Sequence, residues 1–291
     1  MFNRFIVATD LSSASFAMVC CLGGLKNYGA KQCLLLHCIS FQEATSTALS
    51  YTTDKLEKPF TEQKAILENL GFEVEKRIVT GSAKREINRI AVEEDYSFIV
   101  VGSQGQSMVG EALLGGVASA VINTARKPVL VMPIKIKEGE ENACQVTRSD
   151  FTEHVLFPTD FSMNADHAFS YIEKIAALGA RRITLMHVQD RARIEPHLAD
   201  RLAEFNEIDL GRLEKMEKII RLKGKTEVDI VISYGSPFSE ITSLIRERDV
   251  QLVVMGSQGR GFVRELFLGS LSRNVVRNSD APVLLIPIKE R

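Results

Sequence analysis

VVMGSQGRGFVRELFLGSLSRNVV, residues 253–276, reads as a buried strand, a glycine-rich turn and the start of a helix. The opening VVMG is apolar and β-branched, the composition of a strand covered on both faces. Two residues separate Gly256 from Gly259 and nine separate Gly259 from Gly269, which Ser270 follows. Glycine permits a tight turn and lets backbone N–H groups approach a polyanion closely. Amides at the start of the helix after Gly269 have no intrahelical partner and favour phosphate oxygens, and Ser270 adds a hydroxyl donor. In open parallel sheets such loops lie at the carboxyl ends of strands, where ligands bind near the switch in strand order.

Moving outward from this stretch, the whole pattern occurs twice. GSQG at 256–259 has its counterpart at 102–105, an offset of 154 (256 − 102) that also relates GSPFSEI at 235–241 to GSAKREI at 81–87 and APVLLIPIK at 281–289 to KPVLVMPIK at 127–135. Nearer the start of each copy the offset is 150: FIVATD at 5–10 matches VLFPTD at 155–160 (160 − 10), and LLLHC at 34–38 matches TLMHV at 184–188. The second copy therefore holds four extra residues (154 − 150) between His187 and Gly235, where a loop or helix end tolerates them. A period this long makes each copy a whole domain rather than a solenoid unit. The polar, charged stretch IKEGEENACQVTRSDF at 136–151 reads as a linker, leaving residues 1–135 and 152–291 as the domains.

Within one copy, FIVATD predicts a strand, SSASFAMVCCLGGLKNYG a helix closed by Gly29, and CLLLHCI a buried strand. A longer helix to about Leu70–Gly71, the alternating strand FEVEKRIVTG, and an amphipathic helix with Ile87, Ile90 and Ala91 inward come next. The strand FIVVGS, the glycine loop, a helix ending near Thr124 and the strand PVLVMPI complete the copy. The fold class is α/β: two doubly wound domains, each with a mainly parallel five-stranded sheet flanked by helices. In the second copy the helix from about Pro196 to Leu222 is heavily charged on one side and reads as exposed there.

The 291 residues are 45% hydrophobic and 25% charged, with a formal net charge of −1. That balance argues against partners held by bulk electrostatics, either nucleic acid or a membrane surface. No apolar run reaches the length of a membrane span, and MFNRFIVATD reads as a first strand rather than a signal peptide. The cysteines, Cys20, Cys21, Cys33, Cys38 and Cys144, lack paired spacing, which fits buried reduced thiols and a cytoplasmic location. His154, His167 and His197 show no metal-ligand spacing. His37 and His187 lie in apolar strands and read as hydrogen-bonded core histidines; Asp10 and Asp160 are suited either to helix capping or to a ligand.

The spacing G-x2-G-x9-G-S after a strand resembles the ATP-binding signature of the universal stress protein family. The opening strand-Asp, the strand-His-Val, the GS before the third helix and the closing Pro-Val-Leu strand extend the resemblance across both copies. The resemblance implies that the first-strand aspartate approaches ribose and phosphate and that the residue after the strand-two histidine meets adenine through its backbone. The loop glycines and serine hold the phosphates. On this chain those positions are Asp160, Val188, Gly256, Gly259, Gly269 and Ser270, with Ser257 and Gln258 lining the site. The weaker counterparts are Asp10, Cys38, Gly102, Gly105 and Gly115, because Gly116 stands where Ser270 stands. Arg260, Arg264, Arg273 and Arg277 are likewise replaced by Gln106, Gly110, Ser119 and Asn123. The implied cofactor is ATP, with Mg or Mn held through Asp160. The implied assembly pairs PVLVMPI with PVLLIPI inside one chain as a pseudo-dimer, and a homodimer is a further option.

Three functions compete at this point: a nucleotide-binding stress or signalling protein, a protein-interaction module with vestigial nucleotide binding, and a slow ATPase. GK[ST], G-x-G-x-x-G after the first strand and G-x-S-x-G are all absent, which disfavours P-loop, dinucleotide-binding and serine-hydrolase chemistry. No catalytic residue is assigned.

Overall fold

The computed structural model describes residues 2–41, 49–103, 114–134, 150–195, 199–259 and 268–288. The chain divides into two compact units, Met1–Asp150 and Phe151–Arg291. The first unit runs β1 (Arg4–Thr9), α1 (Ser13–Cys20), β2 (Gln32–Ile39), α2 (Leu49–Asn69), β3 (Glu73–Thr80), α3 (Ala83–Glu93), β4 (Phe98–Gly102), α4 (Gly116–Thr124) and β5 (Val129–Met132). The second runs β6 (His154–Pro158), α5 (Met163–Ala177), β7 (Arg182–Asp190), α6 (Leu202–Arg221), β8 (Glu227–Gly235), α7 (Pro237–Glu247), β9 (Leu252–Gly256), α8 (Ser270–Asn278) and β10 (Val283–Ile286).

Strand order is β3-β2-β1-β4-β5 in the first unit and β8-β7-β6-β9-β10 in the second. Every one of these pairs is parallel. Each helix therefore serves as a crossover. The chain moves outward from β1 through β2 to β3 and then returns to the other side of β1 at β4. That return is the switch point, and it puts the ends of β1 and β4 side by side, as it does β6 and β9. The central strands are apolar on both faces; in the second unit β6, β9 and β10 are buried along their whole length. The outer strand β3 alternates half-buried with exposed positions, as one partner strand and one covered face require.

Local sequence explains the departures from regular structure. The predicted first helix is split, with α1 ending at Cys20 and a 3₁₀ stretch occupying Leu22–Tyr28. Gly23 and Gly24 weaken the α-helix, and a Cβ at Gly23 would press on Leu70 at 3.3 Å. Gly29 closes the segment in the left-handed conformation, φ 80°. The four extra residues lie between β7 and β8, since Gln32 pairs with Glu73 in one unit and Arg182 with Glu227 in the other. Phe151, inside the stretch read as linker, is fully buried and opens the second unit.

The expectation of uniformly buried thiols is corrected at Cys20. It is the last residue of α1 and is exposed, whereas Cys21 and Cys33 are buried and Cys38 is half-buried. Burial raises the Cys33 thiol pKa, and burial reinforced by the Glu86 charge pushes Cys38 up to about 11. Both stay protonated near neutral pH. Cys144 lies outside the described residues.

Candidate nucleotide site

The second unit builds its site from the end of β6. The Thr159 N–H donates to the Met186 carbonyl at 2.8 Å, the last tie of this strand to β7. The chain then folds into an interlocked turn. Thr159 Oγ1 accepts from the Phe161 N–H at 3.0 Å, Asp160 Oδ1 accepts from the Ser162 N–H at 3.1 Å, and Ser162 Oγ caps α5 by accepting from the Ala165 N–H. Ser162, not Asp160, is thus the helix cap. Phe161 takes φ 55°, a conformation that a bulky side chain enters only when its surroundings hold it.

The glycine loop closes over this turn. The Ser257 N–H donates to the Ile286 carbonyl and the Gly269 N–H to the Ser257 carbonyl, each at 2.8 Å. Closure brings Gly259 against the aspartate, where an added Cβ would lie 2.6 Å from Asp160 Oδ2. A Cβ on Gly256 would lie 2.7 Å from Asn164 Nδ2, and one on Gly269 would lie 3.3 Å from both Gln258 Cα and the Ser257 carbonyl. These glycines are needed for close packing as much as for ligand access. Gly269 caps α8 with no side-chain hydrogen bond among the described residues, and Ser270 beside it is exposed, so the first amides of α8 have no intrahelical partner at this corner.

Asp160, Gly256, Ser257, Gln258, Gly259, Gly269 and Ser270 thus lie at one strand-end corner. Val188 joins them through its backbone. Met186 uses its carbonyl toward β6, and two residues on, the Val188 N–H and C=O point the same way, beyond the end of β6. Arg273 is exposed one turn into α8, while Arg277 occupies the last turn, about 10 Å along the axis from Ser270. Arg260, Arg264 and Gly105 lie outside the described residues.

Two residues that sequence reasoning missed hold the loop in place. Asn164 Nδ2 donates to the Gln258 carbonyl at 3.1 Å, and Ser272 Oγ donates to the Gly256 carbonyl at 2.9 Å. Asn164 is 8% exposed, and its Oδ1 is buried with no hydrogen-bond partner among the described residues. The repeat offsets could have flagged both, since Ala14 and Ala118 occupy the equivalent positions.

The first unit keeps the same frame with fewer ties. The Ser103 N–H donates to the Met132 carbonyl and the Gly115 N–H to the Ser103 carbonyl, each at 2.8 Å, and Gly115 caps α4 without a side-chain bond. Gly102 ends β4, and Cys38 lies near the end of β2. Asp10 Oδ1 accepts from both the N–H and the hydroxyl of Ser12, at 3.1 and 2.6 Å. His37 and His187 are buried, with Nδ1 bonded to the Thr9 and Thr159 carbonyls at 2.9 and 2.7 Å, which makes them braces between strands one and two of each unit. Among the described residues no cluster of three His, Cys, Asp or Glu could hold a metal, and no helix is long and apolar enough to cross a membrane.

The family model described as universal stress protein family matches residues 1–133 and 152–287. The universal stress protein MJ0577 of Methanocaldococcus jannaschii is 29% identical over 154 residues, spanning 46% of this chain and 94% of the relative. A universal stress protein of Thermus aquaticus is 33% identical over 138 residues, 45% of this chain and 96% of the relative. The crystal structure of a universal stress protein from Archaeoglobus fulgidus aligns over 99% of both chains, with a TM-score of 0.76 and 27% identity. With both sheets wound in the same order and both halves matched by one family model, the chain belongs to the universal stress protein family as a tandem two-domain member.

Proposed function

We propose that the second unit binds ATP at the ends of β6, β7 and β9, and that the protein acts as a nucleotide-dependent regulator in a cytoplasmic stress response or signalling process. The observation that carries this reading is the closed loop. The Gly269 N–H bonds to the Ser257 carbonyl, Gly259 packs against Asp160, and the α8 amides have no side-chain cap among the described residues. Phosphates bind those amides and Ser270, ribose sits toward Asp160, and adenine meets the backbone of Val188. Asn164 Oδ1, buried and lacking a donor among the described residues, adds an acceptor beside the loop.

Mg or Mn enters this proposal only with the phosphates. Asp160 would supply a carboxylate oxygen to such an ion, and oxygen ligands suit either metal. When bound, the ion neutralises phosphate charge at the carboxylate.

The first unit is proposed as the weaker site. It lacks the hydroxyl of Ser270 and the two loop tethers. One hydrogen bond to a charged group contributes about 1.5–3 kcal/mol, so the missing serine alone weakens binding about tenfold or more. Equilibrium titration with ATP tests the assignment. Gly269→Asp places a carboxylate at the phosphate position and abolishes tight binding; Gly115→Asp leaves it. The opposite result would overturn the assignment.

A further inference from the structure

Behind the Asp160 turn lies a buried polar cluster whose key members sit on α6. Asp209 is 8% exposed, yet it is a carboxylate, and such a group stays buried only with partners. Gln189 Nε2 donates to its Oδ2 at 3.3 Å, Arg212 Nη1 donates to its Oδ1 at 3.3 Å, and His187 Nε2 faces Oδ2 at 3.4 Å. The other imidazole nitrogen is spoken for. A carbonyl only accepts, so Nδ1–H of His187 donates to Thr159. The imidazole thus lies between the Thr159 carbonyl on one side and the Asp209 carboxylate on the other.

Phe161 completes the connection. Its ring lies 4.6 Å from that of His187, and the Arg212 guanidinium stands 5.1 Å from its centroid. Phe161 is the residue held at φ 55°, directly after Asp160. The aspartate is therefore bracketed: Thr159 before it is gripped by His187, and Phe161 after it is covered by Arg212. The first unit is tied differently. Leu11 replaces Phe161, the His37 ring neighbours Phe60, and Thr9 Oγ1 bonds to Gln63 of α2 at 2.8 Å.

We propose that Asp209 and Arg212 are positioning residues for the nucleotide site of the second unit, Asp209 acting through His187 and Arg212 through Phe161. The inference rests on the ATP reading given above. It makes nucleotide affinity depend on α6, which reaches the Asp160 turn directly through Arg212 over Phe161 and indirectly through Asp209 and His187.

The test compares Asp209→Asn with Asp209→Leu, side chains of similar volume. Leucine fills the space but accepts nothing, whereas asparagine keeps an acceptor toward Arg212 and a donor toward His187. In the intact chain carrying Gly115→Asp, which isolates the second site, ATP affinity falls about tenfold for Leu and no more than about threefold for Asn. Rescue by asparagine separates hydrogen-bonded positioning from mere filling of space. Should the Leu variant fail to fold, Arg212→Met replaces it, because the Arg212 side chain is half exposed. Loss of its guanidinium lowers affinity several-fold. Unchanged affinity in Leu and Met variants, or equal losses in Leu and Asn, overturns the proposal. A ligand-free readout keeps the two readings apart. The amide resonances of Asp160 and Phe161 shift in Arg212→Met and stay in place in the exposed control Glu214→Gln. A parent chain that binds no ATP strikes the ATP reading, and unmoved amide resonances then strike the positioning role.

Discussion

The two units share a fold, a loop closure and an uncapped helix, and they differ in what fastens those parts together. In the second unit Asn164 and Ser272 pin the loop carbonyls of Gln258 and Gly256. In the first, alanines stand at both positions. Glycine spacing alone therefore provides the shape of a phosphate loop. In the second unit, side chains from α5 and α8 tie down the described part of the loop at Gln258 and Gly256. A loop held in its bound form loses less conformational entropy on binding, so the proposed difference in affinity between the units would lie in preorganisation as well as in contacts.

The largest expected effect comes from disturbing that arrangement in the second unit. Gly256→Val places a branched side chain where even a Cβ would lie 2.7 Å from Asn164 Nδ2 and 3.1 Å from the Gln258 carbonyl. ATP affinity falls by about a hundredfold or more, two bonds to charged groups being at stake; isothermal titration reads the loss. A less drastic change makes the second unit resemble the first. Asn164→Ala with Ser272→Ala weakens ATP binding by up to about thirtyfold, each neutral bond contributing about 1 kcal/mol, while the thermal midpoint of the ligand-free chain falls modestly. Equal affinity in the double variant and the parent would show that the tethers serve stability alone.

The reverse change strengthens the first site. A Cβ at Gly116 meets nothing within 4 Å, so Gly116→Ser restores the missing hydroxyl without strain and raises first-site affinity about tenfold, measured in a Gly269→Asp background. The smallest effect concerns stability. Arg4 Nη1 donates to the Glu94 carbonyl at 2.6 Å, and His154 Nδ1 donates to the Arg248 carbonyl at 3.0 Å, the same helix-end position in the two copies. Burial holds the His154 pKa below its ordinary value of 6.5. A depressed histidine is neutral when folded, so its contribution is complete above 6.5 and is lost as the pH falls through that value toward the folded pKa. Hydrogen exchange of β6 amides quickens from about pH 7 to about pH 5, relative to β1 and beyond the intrinsic pH trend, and His154→Gln flattens the difference.

The repeat made much of this legible in advance. Strand positions, the parallel order and the loop glycines follow from apolar runs and spacings that each copy confirms for the other. Ile87, Ile90 and Ala91 are the buried face of α3, as their period implies. The proposed site was legible where backbone shapes its corner, at the closely packed Gly256, Gly259 and Gly269. It was hidden where side chains cross between distant segments. Asn164 lies 94 residues from the carbonyl it holds, and Asp209 sits in a helix whose charge pattern looks like ordinary solvent-facing surface. Nothing local marks one carboxylate among many as the buried one. The split of the first predicted helix was missed for a simpler reason: a run of apolar residues through Gly23 and Gly24 keeps its hydrophobicity while losing its helical preference.

Native mass spectrometry of the intact chain titrated with ATP tests the central asymmetry most directly. The account predicts one ATP bound per chain at low concentration, lost in Gly269→Asp and kept in Gly115→Asp, with a second ATP only at roughly tenfold higher concentration or above. Two equivalent sites, or a single site that survives Gly269→Asp, would contradict it.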